Sequence, residues 1–87
     1  MLKLYFKNGD GVGNFVTDLE KFSDFFEIVE KDIHARNSKY QIPYYRTYVI
    51  DNVVHIDVGS WSEEYLLKSD KPDMKELWDN YLAGGEK

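Results

Sequence analysis

The feature that most restricts the fold of this chain is a two-residue turn, Asp51-Asn52, between two runs of β-branched and aromatic residues. Both turn residues tolerate a positive φ, so they suit the tight turn of a β-hairpin. A turn of two residues fixes the register of the strands on either side of it. The predicted pairs run outward from the turn: Ile50 with Val53, Val49 with Val54, Tyr48 with His55, Thr47 with Ile56, and Arg46 with Asp57.

The N-terminal residues predict a strand followed by a helix. Apolar Leu2, Leu4 and Phe6 alternate with Lys3, Tyr5 and Lys7, the period-two pattern of a half-buried strand. A glycine-rich loop over residues 8–13 follows, and Thr17 with Glu20 then fits a capping box. That box predicts a helix of apolar residues at spacings of three and four, ending near Arg36-Asn37. A start at Ser23, with Phe15-Val16 extended, is the alternative boundary.

The C-terminal third predicts one more strand and a second helix. Residues 63–68 fit a third strand of the meander, and Asp73 opens a helix that Gly84-Gly85 ends. Its apolar stripe is Met74, Leu77, Trp78, Tyr81 and Leu82. The element order strand, helix, three strands, helix predicts a two-layer α+β domain. Its antiparallel sheet has about four strands, covered on one face by both helices. We expect Trp78 to be buried within the monomer, with a symmetric dimer as the alternative.

Length and composition narrow the class of protein further. A chain of 87 residues has room for one domain, here residues 1–87, and 43% hydrophobic with 16% aromatic residues predicts a folded core. No apolar run approaches the roughly 20 residues of a membrane span. The absence of cysteine indicates a reducing cytoplasm as the location. The net charge of −5 disfavours general binding to duplex nucleic acid.

The sequence contains no pattern typical of an enzyme, a metal site or a cofactor site. Residues 9–13 form neither a dinucleotide-binding nor a P-loop motif, so a plain connecting turn is predicted. His34 and His55 lack the spacing of metal ligands, and a surface or half-buried histidine is predicted for both. Glu63-Glu64 in a strand would point to opposite faces and could not share a proton. We therefore predict no catalytic residue, no metal and no cofactor.

A candidate contact surface lies on the sheet face away from the predicted helices. It combines tyrosines with charged side chains: Tyr5, Tyr44, Arg46, Tyr48, His55 and Asp57. One interpretation is a solvated face on which Arg46 and Asp57 form a cross-strand ion pair. The other is a binding surface, because tyrosine and arginine supply much of the binding energy of protein interfaces.

Residues 55–62, His-Ile-Asp-Val-Gly-Ser-Trp-Ser, followed by Tyr65, resemble a stretch of short uncharacterised proteins from phages and integrated elements of low-GC Gram-positive bacteria. The resemblance implies a small cytoplasmic accessory protein that has no enzymatic activity and acts by binding. It supplies no site residues.

The function expected from the sequence is that of a small acidic protein-binding module. Its partner is an unknown protein, with a second copy of the chain as one option. No membrane is involved, and nucleic acid is disfavoured as a partner by the charge. The alternative is binding of single-stranded nucleic acid, in which the aromatic sheet face stacks on bases and Lys3, Lys7 and Arg46 contact phosphates.

Overall fold

A computed structural model of the chain describes residues 2–9, 13–36, 45–59 and 63–84, which form an α+β structure with a five-stranded antiparallel sheet and two α-helices. A 3₁₀ turn at Phe22–Asp24 precedes the first α-helix. The strands are β1 (Leu2–Asn8), β2 (Asn14–Leu19), β3 (Arg46–Ile50), β4 (Val53–Asp57) and β5 (Glu63–Ser69), and the helices are α1 (Phe25–Arg36) and α2 (Met74–Leu82). Their order across the sheet is β2-β1-β5-β4-β3, so β2 and β3 are its edges.

The predicted hairpin is confirmed in its turn and in its register. Asp51 has φ 51° and Asn52 has φ 65°, the left-handed values of a tight hairpin turn. All five predicted pairs are present, from Ile50 with Val53 to Arg46 with Asp57. Because nothing shifts along this ladder, the side chains that share a face here are those the sequence predicts.

The region before α1 departs from the prediction, because the sheet has five strands rather than about four. Residues 14–19 form β2 and not the start of a helix, so the glycine-rich loop connects two strands. The Thr17 hydroxyl donates to the Asp18 carbonyl and does not cap a helix. Pairing with β1 explains the difference, since Leu19 opposite Leu2 is only 2% exposed. The alternative start at Ser23 is closer to the structure.

Both helices contribute to one buried cluster with alternate residues of the strands. Helix α1 supplies Phe25, Val29 and Ile33, which are one turn apart and fully or almost fully buried. Helix α2 supplies Met74 and Trp78. The strand members are Leu2, Leu4, Phe6, Leu19, Val54, Ile56, Tyr65 and Leu67, and Phe22 before α1 and Val58 after β4 complete the cluster. This cluster explains why the period-two and period-four patterns of the sequence coexist in so short a chain.

Trp78 is buried within the monomer, as predicted, with 1% of its surface exposed. Its ring lies 5.2 Å from the ring of Phe22 and 5.0 Å from that of Phe25. Its indole Nε1–H donates to Thr47 Oγ1 at 3.2 Å, which satisfies the one polar group of the side chain. Trp78 thus joins α2 to the residues before α1 and to edge strand β3.

Asn52 links the hairpin turn to the start of α2. Its Oδ1 accepts a hydrogen bond from the Met74 amide at 2.8 Å, and its Nδ2 donates to the Lys71 carbonyl at 2.6 Å. Asp73, at the N-cap position, makes no capping bond with its own side chain. A residue distant in the chain therefore satisfies an amide at this helix start.

Candidate contact surface

The side chains of the sheet that do not join the buried cluster share the opposite face, which we call the outer face. Directly opposed residues in antiparallel strands project to the same side, so the ladders define its members. They are Phe15 and Asp18 on β2; Lys3, Tyr5 and Lys7 on β1; Glu64, Leu66 and Lys68 on β5; Val53, His55 and Asp57 on β4; and Arg46, Tyr48 and Ile50 on β3.

The outer face carries a row of mostly aromatic side chains across all five strands. Successive ladder partners place Phe15, Tyr5, Leu66, His55 and Tyr48 side by side in this order, and we call them the aromatic row. Its two ends are exposed, Phe15 to 54% and Tyr48 to 37%. Strands lie about 4.8 Å apart, so the row is roughly 19 Å long between the outer strand axes.

Each end of the aromatic row is an aromatic pair with its own geometry. The rings of Tyr5 and Phe15 meet edge to face, with centroids 5.8 Å apart. The rings of Tyr48 and His55 are stacked, with centroids 4.9 Å apart and planes 5° from parallel. Both geometries are favourable ring arrangements, and they hold the row in a defined shape without burying its ends.

Leu66, in the middle of the aromatic row, is covered although it faces away from the core. It is 8% exposed, and it is the buried hydrophobic residue of the described chain that lies outside the core cluster. Part of its cover is the backbone of Gly13, where a Cβ atom would stand 3.5 Å from Leu66 Cδ1 and 3.2 Å from Tyr5 Cβ. Glycine therefore lets the chain entering β2 pass close over the row.

Glu64 organises the charged side of the outer face. Its Oε2 accepts a hydrogen bond from the Tyr48 hydroxyl, and its Oε1 lies close to His55 Nδ1, both at 3.3 Å. Partial burial, and then the negative charge of Glu64, raise the pKa of Tyr48, which keeps its hydroxyl in the donating form. Next to Glu64, Asp57 lies 3.7 Å from Arg46, so the cross-strand ion pair of the solvated-face interpretation is present.

The other side of the row is basic and uses the aromatic rings as partners. Lys68 Nζ lies 4.7 Å from the centroid of Tyr5, and Lys3 Nζ lies 5.5 Å from that of Phe15. Lys3 also pairs with Asp18 at 3.3 Å. These cation–π contacts hold two ammonium groups beside the exposed end of the row.

The outer face differs in charge from the chain as a whole. By the ladders it carries the cations Lys3, Lys7, Arg46 and Lys68 against the carboxylates Asp18, Asp57 and Glu64. This balance is +1, whereas the chain carries −5. The excess of carboxylates therefore lies elsewhere, which makes the outer face the part of an acidic protein that a negatively charged partner approaches at least cost.

The structure brings together five of the six side chains predicted for the contact surface. Tyr5, Arg46, Tyr48, His55 and Asp57 lie on the outer face, while Tyr44 falls outside the described residues. The sequence prediction missed Phe15, Leu66, Glu64 and Lys68. Phe15 was missed because β2 was not predicted, although the run of aromatic and β-branched residues Phe15-Val16-Thr17 was the available signal.

The other histidine and the remaining sequence motifs add nothing to this surface. His34 is exposed in the last turn of α1, as predicted. Residues 60–62 of the stretch that carries the resemblance, including Trp61, fall outside the described residues. Among the residues that the structure describes, no three or more histidine, aspartate or glutamate side chains form a cluster suited to a metal ion.

A polar network lies on the side of the sheet whose side chains join the buried cluster, which we call the core side. Asp32 accepts hydrogen bonds from the Tyr65 hydroxyl at 2.5 Å and from Arg36 Nε at 2.7 Å. The Arg36 guanidinium lies 3.8 Å from the centroid of Phe6. Burial, and then the hydrogen bond and charge of Asp32, raise the pKa of Tyr65. Among the described residues no buried side-chain polar atom lacks a partner, and the contacts of this network fix α1 on β5 and β1.

Comparison of the chain with protein-family models, with curated proteins and with solved structures gave no match. Within the described ranges, neither helix has the length and apolar character needed to cross a membrane. The outer face is therefore the feature of the molecule from which a function can be inferred.

Proposed function

We propose that the protein is a small non-enzymatic binding module in which both helices cover one face of the sheet and the outer face contacts a protein partner. The observation that carries the proposal is the aromatic row, whose ends, Phe15 and Tyr48, are exposed although the chain has a core to bury aromatic side chains. Aromatic side chains and arginine supply much of the binding energy of protein interfaces.

The chemistry of the outer face defines the partner. The two exposed ends of the row, Phe15 and Tyr48, lie about 19 Å apart and match a partner with apolar side chains at a similar separation. The cations beside the row, Lys3, Lys68 and Arg46, match carboxylates on the rim of that partner. We therefore propose a protein partner with an apolar and acidic contact surface. A cytoplasmic location and an origin in a mobile element belong to the same proposal; they follow from the lack of cysteine and the resemblance at residues 55–62.

Affinity capture with matched variants tests the proposal. The bait is the full chain, applied to a lysate of a low-GC Gram-positive bacterium, and captured proteins are quantified by mass spectrometry. A double substitution, Phe15→Ser with Tyr48→Ser, removes both exposed ends of the aromatic row. Leu82→Ser is the control, because Leu82 is as exposed as Phe15, at 57%, but lies on α2.

We expect a protein that wild type and the Leu82 variant capture equally and that the double variant loses. The purified protein should then bind wild type in isothermal titration and lose at least about tenfold in affinity to the double variant, the loss expected for one hot-spot side chain. Equal capture by all three baits, or no specific capture by wild type, would contradict the proposal.

A second candidate function is binding of single-stranded nucleic acid. The exposed rings of Phe15 and Tyr48 and the four cations of the outer face favour it, because bases stack on aromatic side chains and phosphates attract lysine and arginine. The carboxylates of Asp57 and Glu64 beside Tyr48 oppose it. Titration of tyrosine fluorescence with mixed-sequence oligonucleotides at low salt distinguishes the two functions. We expect no change, and quenching that salt reverses would favour nucleic acid over the protein partner.

A further inference from the structure

The two edge strands of the sheet differ in how well they are protected against pairing with another strand. Strand β2 has an irregular register with β1 and carries Asp18, whose charge is paired with Lys3. Strand β3 is regular, contains neither proline nor lysine, and exposes Ile50 to 52% and Tyr48 to 37%. Bulges and charges protect an edge, whereas a flat and apolar edge pairs readily with a further strand.

The hairpin turn determines which backbone groups of β3 point outward. In a hairpin with a tight two-residue turn, the residues that flank the turn form a hydrogen-bonded pair, here Ile50 and Val53. Pairing alternates along an antiparallel ladder, so Tyr48 and Arg46 also direct their N–H and C=O groups toward β4. The N–H and C=O groups of Thr47 and Val49 consequently point away from the sheet.

We propose that two copies of the chain pair through their β3 strands, antiparallel, around a two-fold axis at Tyr48. Thr47 of each copy then faces Val49 of the other, and the two pairs exchange four main-chain hydrogen bonds. This is the register that pairs all five residues of Arg46–Ile50 with the same five residues of the second copy. It is also isologous, as a closed two-fold interface requires.

The side chains of the edge are compatible with this register. Arg46 of one copy faces Ile50 of the other, beside Asp51 of that copy, so each of the two ends of the strand pair joins a cation to a carboxylate. No like charges oppose each other along the five pairs. On the outer face the aromatic rows of the two copies meet at Tyr48 and form one strip across ten strands.

Single cysteines test the register directly, because the chain has no cysteine of its own. In Tyr48→Cys, the two thiols face each other in a non-hydrogen-bonded pair with Cα atoms about 4.5 Å apart, within the range of a disulfide. In Ile50→Cys, each thiol faces Arg46 of the second copy and lies far from its equivalent. With oxidised glutathione as oxidant, we expect the Tyr48 variant to form a disulfide-linked dimer at least about tenfold faster than the Ile50 variant, because only the Tyr48 positions meet the distance requirement of a disulfide.

Random collision predicts the opposite order, since Ile50 is the more exposed of the two positions. Equal rates, or a faster reaction of the Ile50 variant, would therefore overturn the proposal. An independent pair of variants does not depend on thiol chemistry. Ile50→Glu places a carboxylate opposite Arg46 of the second copy, and Ile50→Lys places a like charge there.

Sedimentation equilibrium of the two variants gives the dimer dissociation constant. We expect the dissociation constant of the Ile50→Glu dimer to be at least about tenfold lower than that of the Ile50→Lys dimer, because each dimer contains two pairs of residue 50 with Arg46. Net charge alone predicts the reverse, since Ile50→Lys brings the chain closer to neutrality. A wild-type chain that stays monomeric up to about 1 mM, or an Ile50→Lys variant that dimerises more strongly, would overturn the proposal. Neither result bears on the binding of a different protein to the aromatic row.

Discussion

The two faces of the sheet use similar residue types in different ways. On the core side, strand residues such as Leu4, Val54 and Tyr65 are fully buried in a cluster that includes side chains of α1 and α2. On the outer face, Leu66 is buried, while the aromatic side chains at the ends of the row remain exposed. Burial of apolar surface stabilises a fold, and exposed aromatic surface does not. The comparison indicates that the core side stabilises the fold, while the outer face leaves exposed the side chains for which we propose a binding role.

The largest effect on stability is expected on the core side, from Trp78→Ala. The substitution leaves a cavity among Phe22, Phe25 and Tyr81, so we expect the free energy of unfolding to fall by about 3 to 4 kcal/mol. Urea denaturation followed by circular dichroism measures the change. Leu82→Ala, on the same helix at an exposed position, is the control and should change stability by less than about 0.5 kcal/mol. Equal effects of the two substitutions would contradict the burial of Trp78.

The second largest effect on stability is expected in the polar network of the core side. Tyr65→Phe removes the hydroxyl that donates to Asp32 while the ring contact with Phe6 stays, so we expect a loss of about 2 kcal/mol near pH 7.

The same substitution has a characteristic dependence on pH. In an unfolded chain, tyrosine loses its proton near pH 10. Since burial and Asp32 raise the pKa of Tyr65 in the folded protein, the unfolded state releases this proton first. The contribution of Tyr65 is therefore complete below about pH 10 and is lost as the pH rises toward the pKa of the folded state. The stability difference between wild type and Tyr65→Phe should narrow above pH 10, and a constant difference in denaturation series from pH 7 to pH 11 would contradict this account.

A smaller effect is expected on the outer face, at Gly13. The added methyl group of Gly13→Ala would stand 3.2 Å from Tyr5 Cβ, which belongs to a strand and cannot move far. We expect a loss of about 1 kcal/mol in thermal or urea denaturation, at the lower end of overpacking costs. Gly9→Asn is a suitable control, since Gly9 has φ +66° with open space around it and asparagine tolerates that conformation. A loss at Gly13 as large as that at Trp78 would show that the outer face also carries stability.

The smallest effect should come from Tyr48→Phe. It removes the hydroxyl that donates to Glu64 but keeps the ring stacked on His55, at a position 37% exposed. We expect a change within about 0.5 kcal/mol in the same denaturation measurement. A loss above about 1.5 kcal/mol would place Tyr48 among the stabilising residues and weaken the contrast between the two faces.

The part of the chain that could be predicted from the sequence is the part in which local rules decide. A tight two-residue turn requires positive φ at both central positions, and Asp51 and Asn52 tolerate that conformation. This turn fixes the register of the hairpin and so places Arg46, Tyr48, His55 and Asp57 on one face. The stripe of α2 likewise predicted that Trp78 is buried.

The N-terminal region was predicted less well because two local signals competed there. Thr17 with Glu20 resembles a capping box, but Leu19 gains more by burial opposite Leu2 than the helix gains from one cap. Phe15 lies in the aromatic row because it belongs to the same strand, β2, and faces Tyr5. Its place depends on the β1–β2 register, which includes an irregularity that no residue pattern in the sequence predicts.

The two hydrogen bonds of Asn52 have a consequence for the motions of the folded chain. Helix α2 has only nine residues, too few to persist in water without tertiary contacts. Its first amide, that of Met74, is held by the hairpin turn, so the amide exchanges with solvent when the helix and the turn separate. Undocking of α2 also exposes Trp78 and withdraws the partner of Thr47 in β3. We therefore expect the C-terminal helix and the edge hairpin, 22 residues apart at this bond, to open together in hydrogen exchange.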